Sequence, residues 1–196
     1  MRDGEEFYRI EHVDAMPPFL MSIVSDSDHW MFHSSSGGLT AGRKNPDLAL
    51  FPYYTDDKIH EAAGTTGSLT VIRANAKGKT LLWEPLSDHY PHTWNITRNL
   101  LKNFTGNSLI MEEVNHDLEL TFSYRWMNSD RYGWIRQTRI SNNGRKTADF
   151  KLLDGLQNIL PYGILKRTQE QFSTLMDAYK KTELEEQTGM GIFSMS

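Results

Sequence analysis

Leu118-Glu119-Leu120-Thr121-Phe122-Ser123-Tyr124-Arg125-Trp126 alternates apolar or aromatic residues with polar ones without a break. Successive side chains of a strand point to opposite faces, so this stretch predicts a β-strand with one face for a core and the other for water or a ligand. Working outward, Asn128-Ser129-Asp130 supplies turn chemistry, and Tyr132, Trp134, Thr138 and Ile140 continue a second alternating run. That run is expected to pair antiparallel with the first. Asn142-Asn143-Gly144 tolerates the positive backbone angles of a tight hairpin, and Ala148, Phe150 and Leu152 resume the alternation beyond it. Together the three predict a meander. For Trp126 and Trp134, on the apolar face of their strands, packing in a core is the favoured reading.

Less regular strands are predicted upstream at Phe7 to Val13, Phe19 to Ser25, His29 to Ser34, Ser68 to Ala74, Thr80 to Glu84 and Leu109 to Val114. A chain of 196 residues with this many strands suits a large antiparallel β-sandwich over residues 1–160. The segment from Ser35 to Gly67, rich in Gly, Ser, Asn, Pro and Thr, reads as a long loop, and such loops are usually functional or packed against something. After Pro161 and Gly163 the period becomes helical, with Leu165, Phe172, Leu175, Met176 and Tyr179 on one stripe and Gly189 as a stop. Residues 161–196 are accordingly expected to be a linker helix and the start of a further segment. Ile192-Phe193-Ser194-Met195-Ser196 reads as a strand just beginning, and the polypeptide is expected to run on past Ser196.

Composition excludes several classes. The sequence contains no cysteine, which removes disulfides, thiolate metal sites and cysteine nucleophiles. A formal net charge of -4 gives no general attraction to nucleic acid. No apolar run approaches the roughly 20 residues of a membrane-spanning helix, and the acidic, polar N-terminus lacks the features of a signal peptide. The expected location is cytoplasmic, with the periplasm as the alternative.

Individual motifs are weak. His89-Tyr90-Pro91-His92 beside Asp88 has metal-ligand composition, but a surface turn explains it more cheaply. Ser34-Ser35-Ser36-Gly37-Gly38 lacks the Gly-Lys-Ser/Thr ending of a phosphate-binding loop. Asp26, Asp28 and Asp47 fail the spacing of a calcium loop. Asp56, Asp57, Glu61, Glu112, Glu113 and Asp117 could supply the carboxyl pair of glycoside cleavage, although sequence does not show two of them meeting across a sugar. Asn95-Ile96-Thr97 and Asn103-Phe104-Thr105 match the glycosylation triplet. No cofactor or metal is expected. The five tryptophans and the other aromatics suit both core packing and stacking on sugar rings.

The order of three segments resembles a known family. His29-Trp30-Met31-Phe32-His33-Ser34-Ser35-Ser36-Gly37-Gly38 is followed by Arg43, Pro46 and Phe51-Pro52-Tyr53-Tyr54-Thr55, then by Leu82-Trp83-Glu84-Pro85-Leu86. This pattern, over most of residues 7–160, is similar to the N-terminal sandwich of glycoside phosphorylases of the cellobiose-phosphorylase type. The resemblance implies a galactose-mutarotase-like super-sandwich, a helical linker over residues 163–188, and a catalytic (α/α)6-barrel beyond Ser196. It also implies carbohydrate as ligand and a homodimer, with no catalytic residue on this chain. By the same analogy the Gly37 to Lys58 loop contacts a cleft or partner, which makes Arg43, Phe51, Tyr53, Tyr54 and Asp56 the candidate contacts, with Trp83 from the tryptophan-proline segment. The expected function is a non-catalytic carbohydrate-binding and assembly domain of a larger glycoside phosphorylase or hydrolase. The alternatives are a free-standing carbohydrate-binding module and a sugar mutarotase using His92 and Glu84.

Overall fold

The computed structural model describes residues 4–76, 79–89 and 92–195; the side chains of Asp56, Ala76, Ser173, Thr174, Leu175 and Asp177 also lie outside the described set. The alternating stretch forms β9 (Leu120–Ser129), and the run after it forms β10 (Gly133–Asn142). They pair antiparallel, with Tyr124 opposite Thr138. Around them lie β1 (Phe7–Glu11), β7 (Ile96–Asn103) and β8 (Ser108–Asn115), giving a five-stranded sheet in the order β1-β7-β8-β9-β10. A second sheet joins β2 (Leu20–Ile23), β3 (His29–Ser34) and β4 (Leu39–Arg43) in chain order. A third has the order β11-β5-β6, from β5 (Gly67–Ala76), β6 (Lys79–Trp83) and β11 (Phe150–Gln157).

Both three-stranded sheets cover the same face of the large one. From β9, Phe122 meets Trp83 of β6 edge-on at 6.5 Å, and Tyr124 meets His33 of β3 at 6.3 Å. The shared core gathers Ile23, Met31, Leu39, Ile72, Leu109 and Trp126, all buried, so the chain is a mostly-β antiparallel sandwich. Trp126 is a core residue, as its position on the apolar face requires.

Several local expectations are overturned. β11 pairs with β5 across the sandwich and not with β10, so β10 is an edge strand and the expected third strand of the meander lies in another sheet. Side chains tie the β10 and β11 edges together instead: Asp154 accepts from Arg136, Thr138 and Thr70. Burial by itself raises the Asp154 carboxyl, but the hydrogen bonds from Arg136, Thr70 and Thr138 outweigh it and hold the group below its ordinary value. β7 shows no two-residue period because Asn99, Leu100 and Leu101 are all buried, one face by the core and the other by neighbouring side chains.

The supposed loop from Ser35 to Gly67 holds β4 and the short helix α1 (Asp56–Glu61). Its Ser-Ser-Ser-Gly-Gly motif is a packing joint. Ser34 Oγ lies 2.7 Å from His60 Nδ1, and a Cβ at Gly38 would overlap the Ile59 carbonyl oxygen and sit 3.0 Å from the Ala63 nitrogen. Only glycine lets α1 approach this closely. Gly38→Ala is therefore expected to cost about 1–3 kcal/mol in urea-unfolding measurements, because backbone and not a flexible side chain must yield; an unchanged midpoint would contradict the joint.

At the C-terminal end, helix α2 (Lys166–Ala178) is shorter than the expected linker, and residues 180–195 form a hairpin of β12 (Lys180–Glu185) and β13 (Met190–Met195). Gly189, with φ 69°, serves the turn of that hairpin and does not end the helix. The terminal apolar run thus has its partner in β12. The expected helical stripe is interrupted: Phe172 departs from helical geometry, Met176 is buried, and Leu165, Phe172 and Tyr179 are exposed. Leu175 lies outside the described side chains. No helix among the described residues is long and apolar enough to cross a membrane.

Candidate functional site

Three separated segments meet in an open groove of about 500 Å³ on one flank of the sandwich. The β3-β4 register sets His29 opposite Arg43, and Lys44 follows directly in a left-handed conformation with φ 60°. The β9-β10 turn brings Tyr132, Gly133 and Trp134, with the Trp134 ring 6.2 Å from His29 and edge-on to it. The third wall is Leu160, Tyr162 and Gly163, fixed because the Leu160 amide donates to the Leu50 carbonyl at 2.8 Å. Gly42 makes the floor possible: a Cβ there would meet the Leu48 carbonyl oxygen and the Ala49 Cα, each at 2.8 Å.

Two aromatic side chains stand out into water, Tyr162 at 95% exposure and Tyr132 at 69%. Large rings left this open beside a groove are platforms for stacking. Arg131 lies over the Tyr132 ring at 5.2 Å. His29 is oriented by Ser27, whose Oγ is 2.7 Å from Nδ1. Trp134 is partly buried, packs against the core and forms the inner wall, and its buried Nε1 has no acceptor among the described residues.

Of the residues singled out from sequence, Arg43 lines this groove, with Asp28 loosely beside it at 3.8 Å. Phe51 and Trp83 require correction as ligand contacts. Phe51 is fully buried in the core, and Trp83, 1% exposed, spends its indole N–H on Glu113 Oε1 at 2.6 Å, so neither can offer a ring face to a sugar. Tyr53 and Tyr54 are half-buried. Tyr53 stacks edge-on to Trp30 at 5.8 Å, lies under Lys166 at 5.5 Å, and its amide donates to Gln169 of α2. Through Tyr53 this loop packs on the chain's own α2. Asp56 opens α1, with its side chain outside the described set. Sequence reading missed His29, Lys44, Tyr132 and Tyr162 as site residues. The one available signal was the tyrosine between Pro161 and Gly163, an aromatic on a turn with no strand to bury it.

A second cleft, of about 410 Å³, contains both His92 and Glu84, with Asp14, Asp88, Arg98 and Glu113. Its deep groups are structural. Glu113, 1% exposed, accepts from Trp83 Nε1, from the Leu86 amide at 2.8 Å and from Arg98 Nε at 2.8 Å. Arg98 also donates to the Ser87 carbonyl and to Asp88. Glu84 accepts from His89 Nδ1 at 2.9 Å, and Tyr90 and Pro91 lie outside the described residues. Among the described residues no group of three or more His, Asp or Glu is arranged to hold a metal. Asp28 faces Arg43, Asp47 accepts from the Lys166 amide, and Asp26 lines another depression. Asn103 is buried and bonded to Thr105, Asn107 and Glu5, so its amide is closed to glycosylation as folded.

Fold and groove together define the class: a mostly-β sandwich with an open, aromatic-walled groove on its flank. No family model matches the chain, and no curated protein matches it.

Proposed function

We propose that this chain is a carbohydrate-binding and assembly domain of a larger carbohydrate-active enzyme, of the type found at the N-terminus of glycoside phosphorylases. The observation that carries the reading is the pair of exposed tyrosines, Tyr132 and Tyr162, flanking one groove with Trp134 behind them. Pyranose rings present apolar C–H faces that stack on such platforms, while Arg, Lys and His at the rim bind hydroxyls. On this reading the catalytic helical barrel and the homodimer lie outside the residues described.

Calorimetric titration of the chain with gluco-, xylo- and uronate oligosaccharides tests it. At least one is expected to bind with measurable heat, and Tyr132→Ala and Tyr162→Ala are each expected to weaken that binding about tenfold, equivalent to about 1.4 kcal/mol. Both side chains are exposed, so folding is expected to be untouched. Heat from none of these sugars would refute the proposal.

A second reading, a sugar mutarotase, is favoured by one observation, that His92 and Glu84 share the second cleft. Against it, Glu84 is already engaged by His89. Polarimetry on fresh α-galactose distinguishes the two, and no acceleration is expected.

A further inference from the structure

Both clefts carry charge, and the signs are opposite. The second cleft collects Asp14, Glu84, Asp88 and Glu113 against Arg98. The aromatic groove has Arg43 and Lys44 among its walls, with no Asp or Glu among the residues lining it. Arg131, over Tyr132, adds a third cation at the rim. In a chain of net charge -4 this is a local reversal of sign. Arg43 has Asp28 beside it at 3.8 Å, with the Asp28 and Arg43 side chains 52% and 62% exposed. So open and long a pair is weak and is readily exchanged for a better acceptor.

Resting on the carbohydrate reading above, we propose that the groove selects a sugar that carries a carboxylate, a uronic acid unit, over a neutral one. The ring stacks on Tyr132 or Tyr162 while the carboxylate is held between Arg43 and Lys44. The planar guanidinium matches a carboxylate with two parallel N–H donors, whereas Lys44 contributes a point charge from the adjacent position.

The experiment is calorimetric titration of the whole chain with tetragalacturonate, a sulfated oligosaccharide of equal length, and cellotetraose, each at low and high salt. Tetragalacturonate is expected to bind about fivefold to tenfold more tightly than cellotetraose at low salt, with the margin shrinking as salt rises. The double variant Arg43→Gln, Lys44→Gln is expected to bring the two within about twofold by weakening tetragalacturonate more than cellotetraose. Equal affinity for the two sugars, or a preference that survives the double variant, overturns the uronate assignment and leaves the carbohydrate reading standing. Tighter binding of the sulfated sugar overturns the choice of carboxylate. No binding of any of the three overturns the uronate assignment, and the carbohydrate reading falls with it if xylo-oligosaccharides also give no heat; Tyr132→Ala with Tyr162→Ala checks that measured heat arises in this groove.

Discussion

Glu113→Ala is expected to lower the unfolding free energy by about 3–5 kcal/mol, the cost of removing one member of a buried ion pair. Glu113 accepts from three donors at once, and its removal leaves the Trp83 indole N–H without its acceptor and Arg98 Nε without its own, with Asp88 and the Ser87 carbonyl still engaging the rest of the guanidinium. The third donor, Leu86, has φ 63°, a left-handed conformation costly for a leucine, and its amide loses its acceptor together with the carboxylate. Glutamine is not a rescue, because its amide nitrogen would oppose one of the same donors. Urea unfolding gives the magnitude, and hydrogen exchange at residues 84–88 reports whether the loop is released. A loss below about 1 kcal/mol for the alanine variant would show that the carboxylate is not the keystone of this cleft.

The second large effect is acid sensitivity centred on His33. This side chain is completely buried in β3, its Nδ1 lies 2.7 Å from the Ser34 carbonyl oxygen, and its Nε2 has no partner among the described residues. Burial disfavours the charged ring and pushes its pKa down to about 4 from 6.5, with the Ser34 carbonyl opposing the shift only partly. Above pH 6.5 both folded and unfolded chains hold the ring neutral, so no penalty exists. As pH falls from 6.5 toward 4 the unfolded chain takes up a proton that the folded chain refuses, and stability drops by roughly 3 kcal/mol by pH 4. Below that the folded ring protonates too and the loss levels off. His33→Gln keeps a donor for Ser34 and removes the titration, so its stability is expected to be nearly flat across this window, whatever its value at pH 7. Asp154, held below its ordinary 3.8, acts in the same direction but at lower pH, which keeps the two windows apart. A wild-type profile as flat as that of the variant between pH 6.5 and 4 would remove His33 as the cause.

The groove and the acidic cleft show different uses of polar side chains in one sandwich. Around Glu113 every donor is satisfied within the chain, which makes the arrangement a support for the 84–88 loop. Around Tyr162 and Arg43 the aromatic face and the guanidinium are left to solvent, and that openness gives the groove its capacity for a ligand.

β9 and β10, the antiparallel pairing between them, the burial of Trp126 and the mostly-β character of the chain were all legible in the order of residues. Each follows from a two-residue period or from turn chemistry, and both are local properties. Tertiary structure alone decided that β11 crosses to β5, since an alternating run can join either of two sheet edges and carries no local record of which one it meets. It likewise decided that Phe51 and Trp83 are core while Tyr132 and Tyr162 face water. Aromatic residues are equally suited to packing and to stacking, so exposure is settled only by what the rest of the chain places over each ring. The groove was illegible for the same reason: residues near 29, 43, 133 and 162 become neighbours only when two sheets and the segment after β11 are stacked together.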